Sequence, residues 1–149
     1  MAIELRPARA DERRALEALQ LRASIAHPDY REVLLANPEV IVLPDEQIAA
    51  GQVIVAEDDG TLRGFAVVLP RDDGQAELDG LFVEPDRWRG GIGRQLVEWA
   101  ETYAAALGAS RLCVIANPTA LDFYRAVGFV QTGLAETQFD TAPVMEKPL

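Results

Sequence analysis

The chain has 149 residues, 49% of them hydrophobic and 26% charged, which suits one domain with a substantial core and excludes intrinsic disorder. Its 24 acidic residues outnumber 14 basic ones, and the net charge of −10 argues against a nucleic-acid partner while mildly favouring a cationic one. Cys113 is the single cysteine, no apolar run nears the length of a membrane span, and the start MAIELRPARADERR lacks the apolar stretch of a secretory leader. No disulfide, metal or membrane partner is therefore expected, and the cytoplasm suits the chain.

In chain order, Ile3–Leu5 reads as a short strand ending before Pro7. Ala10–Ile25 carries Ala15, Leu16, Leu19 and Ala23 at helical spacing, and His27-Pro28 ends that helix. Asp29–Ala36 fits a second short helix closed by Asn37-Pro38. Val40–Ile48 comprises two proline-flanked pieces whose pattern selects neither helix nor strand. Gln52–Glu57 is a Val- and Ile-rich strand, Asp59-Gly60 a hairpin turn, and Leu62–Leu69 the returning strand. Asp73-Gly74 marks a second turn before a third strand, Gln75–Val83.

A glycine-rich turn, Arg89-Gly90-Gly91-Ile92-Gly93, follows that three-stranded meander and opens a helix reaching about Leu107. The predicted apolar stripe of this helix is Ile92, Leu96, Trp99, Ala100, Tyr103 and Leu107, with Gly108 as its cap. A strand feeding a glycine turn and then a helix presents bare backbone N–H groups at a helix start, the usual seat of a phosphate group. The turn is not a P-loop, since no Gly-Lys-Ser/Thr follows. Nor is it the dinucleotide fingerprint, because a meander rather than a first strand precedes it. Arg111–Ala116 is a buried strand. Asn117-Pro118 then caps and starts a helix bearing Leu121, Phe123, Tyr124 and Val127 and stopping at Gly128. Phe129–Gly133 and Pro143–Lys147 are closing strands. The expected fold is α+β: a mixed, mostly antiparallel sheet of six to seven strands flanked by about four helices.

Three segments, AELDGLFVEP, RWRGGIGRQLVEWA and ANPTALDFYRAVGF, occur in this order within Ala76–Phe129. Together they resemble the GCN5-related N-acetyltransferase family, the last segment being similar to its N-x-x-A-x-x-F-Y-x-x-x-G-F pattern. One position departs. In the family's Q/R-x-x-G-x-G/A turn the first place falls on Trp88. Because that turn binds through main-chain groups, the site is expected to survive, with Arg89 or Arg94 supplying charge.

The resemblance implies a single acetyltransferase domain using acetyl-CoA as co-substrate and no metal. The amides of Arg89, Gly90, Gly91, Ile92 and Gly93 would hold the pyrophosphate. Gln75–Val83 would splay from Arg111–Ala116 at the cofactor cleft, and main-chain groups of Leu81, Phe82 and Val83 would pair with pantetheine. Gly80 would either bulge the strand and aim an amide at the acetyl carbonyl or simply permit close packing. Tyr124 would donate a proton to the departing thiolate; the alternative is a core aromatic. Glu77 and Asp79 share a strand face by alternation, and Glu77, Asp79 or neither would serve as general base. Asn117 would touch pantetheine or act only as a cap.

Arg125 would meet a CoA phosphate or be a solvated helix charge. His27 reads as a connector residue with a lesser case for lining the acceptor pocket. Cys113 reads as core, and Trp88 and Trp99 as packing residues. The expected reaction is transfer of acetyl to a primary amine by direct attack in a ternary complex. Alternatives are a non-catalytic CoA-binding module, transfer of another acyl group, or an interaction protein. The acceptor would be chosen by Ala10–Gly51, leaving a small amine, a polyamine-like cation, an amino acid or a peptide N-terminus open. Neither a nucleic acid nor a membrane is expected as partner, and a homodimer is compatible with the resemblance.

Overall fold

The computed structural model describes residues 3–137 and 141–149. Seven strands form one sheet in the order β1-β2-β3-β4-β5-β7-β6. They are β1 (Glu4–Pro7), β2 (Val53–Asp58), β3 (Thr61–Pro70), β4 (Ala76–Val83), β5 (Arg111–Ile115), β6 (Val130–Glu136) and β7 (Thr141–Pro148). The helices are α1 (Arg13–Ile25), α2 (Pro28–Ala36), α3 (Asp45–Ala49), α4 (Ile92–Ala106) and α5 (Leu121–Ala126), with short 3-10 turns between. The expected α+β sheet is present, with five helices where about four were anticipated.

The chain divides into two compact units, Met1–Val67 with Gly80–Leu96, and Val68–Asp79 with Val97–Leu149. In the first, Asp59 and Gly60 both take positive φ, 51° and 79°, the two-residue turn whose twist matches a right-handed hairpin. β2 is buried at Val53, Ile54, Val55 and Ala56 in succession, as a strand covered on both faces must be. α1 buries Leu16, Leu19 and Ala23, each large side chain contributing about 1.5–3 kcal/mol of apolar burial. Ala15, expected on that stripe, is exposed. Ala10–Glu12 forms a 3-10 turn rather than the helix start. Pro7 lies inside β1 and not beyond it, paired with Ile54. β1 is an edge strand, where a missing N–H costs no ladder bond. The unassigned Val40–Ile48 becomes the end of a 3-10 turn, an extended piece and most of α3. The Leu43 amide donates to the Glu17 carboxylate at 2.8 Å, fastening the extended piece to α1.

In the second unit β4 and β5 run parallel and pair at Ala76–Leu112 and Glu77–Cys113. Leu78 and Asp79 find no counterpart on Val114 and Ile115, so the ladder ends before either strand does. β5 continues its pairing on the other side, antiparallel to β7 from Arg111–Pro148 to Ile115–Val144. Lys147 on β7 donates to the Val127 carbonyl at 2.8 Å and pairs with Glu101, which closes the carboxyl end of α5 beside Gly128 at φ 101°. The buried stripe of α4 is Ile92, Leu96, Val97, Ala100 and Ala104. Leu107 is exposed and lies past the helix end, while Trp99 and Tyr103 stack on one another at 4.9 Å, half-buried. Gly108 takes φ 84° and caps α4 as expected.

Gly64 of β3 is held to glycine by its neighbour strand. A Cβ there would lie 2.8 Å from the Phe82 carbonyl oxygen, a backbone atom that cannot rotate away. Gly64→Ala should therefore lower stability by about 1–3 kcal/mol, read as a lower urea midpoint at unchanged slope. A midpoint equal to wild type would show that the two strands do not approach so closely.

Candidate active site

The strand-to-helix turn is built to expose main chain. Pro85–Arg87 makes a 3-10 turn and Trp88 is extended. Arg89 and Gly91 then adopt φ 66° and 87°, and α4 begins at Ile92. The first helical bond runs from the Gln95 amide to the Gly91 carbonyl at 3.1 Å. Amides at a helix start have no intrahelical acceptor. Among the described residues none accepts from the amides of Arg89, Gly91, Ile92, Gly93 or Arg94. The Gly90 amide is the exception within the expected cradle, since it donates to the Arg87 carbonyl at 3.3 Å and stabilises the turn itself. The 15-residue α4 places the positive end of its dipole on these free amides. An open hollow of about 290 Å³ borders the turn at Trp88, Arg89 and Gly90.

Two contacts hold the turn. Arg87 pairs with Asp58 at 3.0 Å, and Asp58 is only 2% exposed, so removing Arg87 would strand a buried charge. The Trp88 indole N–H donates to the Val83 carbonyl at 2.8 Å. The departure at Trp88 thus has a structural role, closing the turn onto the end of β4. The Val83 carbonyl therefore has one protein donor and keeps a second lone pair. Leu81 and Phe82 lie on β4 half-buried, with the Phe82 ring 5.3 Å from that of Phe65. Gly80 serves close packing: a Cβ would meet the Phe82 ring at 3.0 Å and Val67 at 3.5 Å. His27 caps α2 and stacks on Trp88 at 5.1 Å, placing it beside the turn rather than in a plain connector.

The second unit holds the acid and base candidates. Glu77 and Asp79 lie two apart on β4, as alternation predicts for one face. Burial, followed by the neighbouring Asp79, raises the Glu77 carboxyl above its ordinary range, and Arg71 pulls weakly the other way. Tyr124 on α5 is buried, edge-on to Phe123 and Phe129. Burial alone pushes its phenol upward, so it remains protonated at neutral pH. The Asn117 side chain accepts from the Thr119 amide at 2.9 Å and its hydroxyl at 2.8 Å, which accounts for it as a cap. Arg125 is an exposed helix charge near Asp122, and Arg94 is also exposed. Cys113 is buried with its thiol donating to the Ala76 carbonyl at 3.3 Å, a core residue as expected.

The structure thus gathers Leu81–Val83 and the glycine turn in one unit, and Glu77, Asp79, Asn117 and Tyr124 in the other. Sequence reasoning missed Arg71, whose guanidinium lies 3.8 Å from Glu77. An arginine after a proline in a hairpin carries no local signal, and only the β4–β5 register reveals its neighbours.

The sequence model of the acetyltransferase (GNAT) family matches residues 15–129. The chain is 39% identical over 85 residues to an amino-acid acetyltransferase of Azotobacter vinelandii, covering 56% of this chain and 19% of that protein. It is 34% identical over 84 residues to an IAA acetyltransferase of Azospirillum brasilense, covering 54% of this chain and 55% of that one. The chain thus spans a fifth to about half the length of these curated relatives. A crystal structure of the PaiA N-acetyltransferase from Thermoplasma acidophilum in complex with coenzyme A superposes with a TM-score of 0.75 at 20% identity, all of both chains covered. A family match over most of the chain, on a sheet whose parallel pair stops short before a glycine-opened helix, makes this protein a member of the GNAT acetyltransferase family.

Proposed function

We propose that this protein is an N-acetyltransferase that uses acetyl-CoA and acetylates a primary amine by direct attack in a ternary complex. The observation that carries the reading is the set of five amides that find no acceptor among the described residues, at the amino end of α4. A diphosphate would satisfy them at little cost, because the turn is already rigid and glycine at Gly91 leaves the approach clear. Family membership and a coenzyme A-bound neighbour of the same fold support the choice of that diphosphate.

Acetyl-CoA, when bound, supplies an activated thioester, so no covalent enzyme intermediate is required. The protein's part is orientation and proton management. Glu77, with its proton affinity raised by burial, suits removal of a proton from an ammonium acceptor. Tyr124, kept neutral by burial, suits donation to a leaving thiolate. Leu81, Phe82 and Val83 offer main chain for the pantetheine arm, and the Val83 carbonyl keeps a lone pair beside the one that Trp88 uses. The net charge of −10 favours a cationic acceptor, and a small amine or a polyamine-like cation fits that preference.

Isothermal titration of the folded chain with coenzyme A is expected to show one-to-one binding, and absence of heat from folded protein would end the reading. Tyr124→Phe should lower turnover by about 10²-fold, the low end for a general acid, with KM for acetyl-CoA little changed. An unaltered kcat would return Tyr124 to the core. In a thiol-release assay over mixed amines, rates with cationic acceptors should fall as salt rises from 0.05 to about 0.5 M and the Debye length shortens. A preference for neutral or acidic amines would refute the electrostatic choice. Coenzyme A binding with no turnover on any amine would mark a binding module instead.

A further inference from the structure

The acid–base candidates of the second unit are not alone. Arg71 follows β3 directly, and its backbone is fixed by a bond from its amide to the Gln75 carbonyl at 3.0 Å. Its guanidinium then makes three contacts. One Nη lies 3.0 Å from the Cys113 sulfur and 3.8 Å from Glu77 Oε1, and the other lies 3.2 Å from Asp73 Oδ2. Glu77 and Cys113 are direct partners across the parallel ladder, so their side chains share a face. The thiol is used in both directions, accepting from Arg71 and donating to the Ala76 carbonyl, and so forms a neutral peg for the guanidinium.

The surroundings of Glu77 are otherwise acidic. Asp79 shares its strand face, Glu146 of β7 stands opposite Cys113, and Asp73 lies at the far side of Arg71. Among the described residues Arg71 is the cation paired with Glu77. A carboxylate in that setting, half-buried and beside another carboxylate, drifts toward its protonated form, which cannot take a proton from an amine. A bidentate arginine would do the opposite and ionise it at the cost of basicity. A separation of 3.8 Å gives charge without a hydrogen bond, favouring the ionised carboxylate without occupying its oxygens from the arginine side.

We propose that Arg71 is a positioning residue for Glu77: pegged by the Cys113 thiol and Asp73, it holds the Glu77 carboxylate ionised and oriented on the β4–β5 seam beside Asp79. This rests on the acetyltransferase reading for its purpose, though not for its geometry.

The test is a carbon-13 NMR titration of the full chain labelled at glutamate side-chain carboxyls, with the Glu77 signal assigned through Glu77→Gln. In the wild type Glu77 should titrate above the ordinary glutamate value of about 4.3. Arg71→Gln should raise that midpoint further, by a modest step because Arg71 is 43% exposed and partly screened. Asp79→Asn should lower it. Arg71→Lys should keep most of the wild-type value, and Cys113→Ala, with the charge kept but the peg removed, should fall between wild type and Arg71→Gln. A merely structural arginine would change the melting temperature without this ordered set of midpoints. Should Arg71→Gln fail to fold, the lysine and Cys113→Ala variants carry the comparison. Equal Glu77 midpoints in folded wild type and variants overturn the inference even if coenzyme A binds. Wild type that neither binds coenzyme A nor releases thiol overturns the acetyltransferase reading even if the midpoints move as expected. In the active enzyme, Arg71→Gln should move the acid limb of kcat/KM upward by the NMR shift and leave KM for acetyl-CoA unchanged.

Discussion

A turn that leaves its backbone amides open faces a conflict. Its amides have to stay unbonded, yet unbonded backbone is poorly constrained. In this protein the conflict is resolved by fastening the turn everywhere except at the amides. Arg87 is fixed below by the buried Asp58, and the Trp88 side chain is tied back to the Val83 carbonyl. The Gly90 amide is spent on the turn's own closure. Arg89 and Gly91 in left-handed conformations then direct the remaining N–H groups outward at the start of α4. Arg89 carries a steric cost there that glycine avoids, and the structure meets it between two anchored neighbours.

The second unit applies the same logic to charge. Glu77 and Asp79 on one strand face repel, and partial burial magnifies the repulsion. Removing one of them would relieve the strain and also remove the raised proton affinity that a base for ammonium acceptors needs. Arg71 offsets part of the repulsion from outside the strand, at a distance that tempers it without saturating the carboxylate. The Cys113 thiol matters here for its geometry. Burial raises its pKa, so it stays a thiol, able to accept a hydrogen bond from the guanidinium and donate one to the Ala76 carbonyl.

What was legible in the sequence was what local chemistry determines. Asp59-Gly60 demands two positive φ angles, Asn117-Pro118 supplies a side-chain acceptor followed by a pre-set φ, and both sit where pattern places them. The glycine turn was legible for the same reason. What was hidden depended on partners distant in the chain. Pro7 is tolerated in β1 only because that strand forms an edge, a property of sheet order. Val40–Ile48 takes its shape partly from the Glu17 carboxylate of α1, to which no periodicity points. Leu107 matches the helical stripe in spacing but lies past the helix end, and Val97 and Ala104 replace it in the core. Gly80 reads as a bulge or a packing residue until the Phe82 ring is seen to occupy the space. Arg71 and Trp88 are identifiable only by what they touch.

Those same distant contacts give the acceptor question a physical form. The segment between β1 and β2, to which the family resemblance assigns acceptor choice, is joined to the strand-to-helix turn at two points within the first unit. Arg22 of α1 bonds Glu84 at 2.9 Å, one residue past β4, and His27 at the start of α2 stacks on Trp88. Glu84 is mostly buried while Arg22 is half exposed, so the ion pair holds position more than it adds stability. Trp88 is the shared element: its ring faces His27 while its N–H holds the Val83 carbonyl. The start of α2 and the end of β4 are therefore linked through one side chain, the tryptophan in the position the family pattern gives to glutamine or arginine.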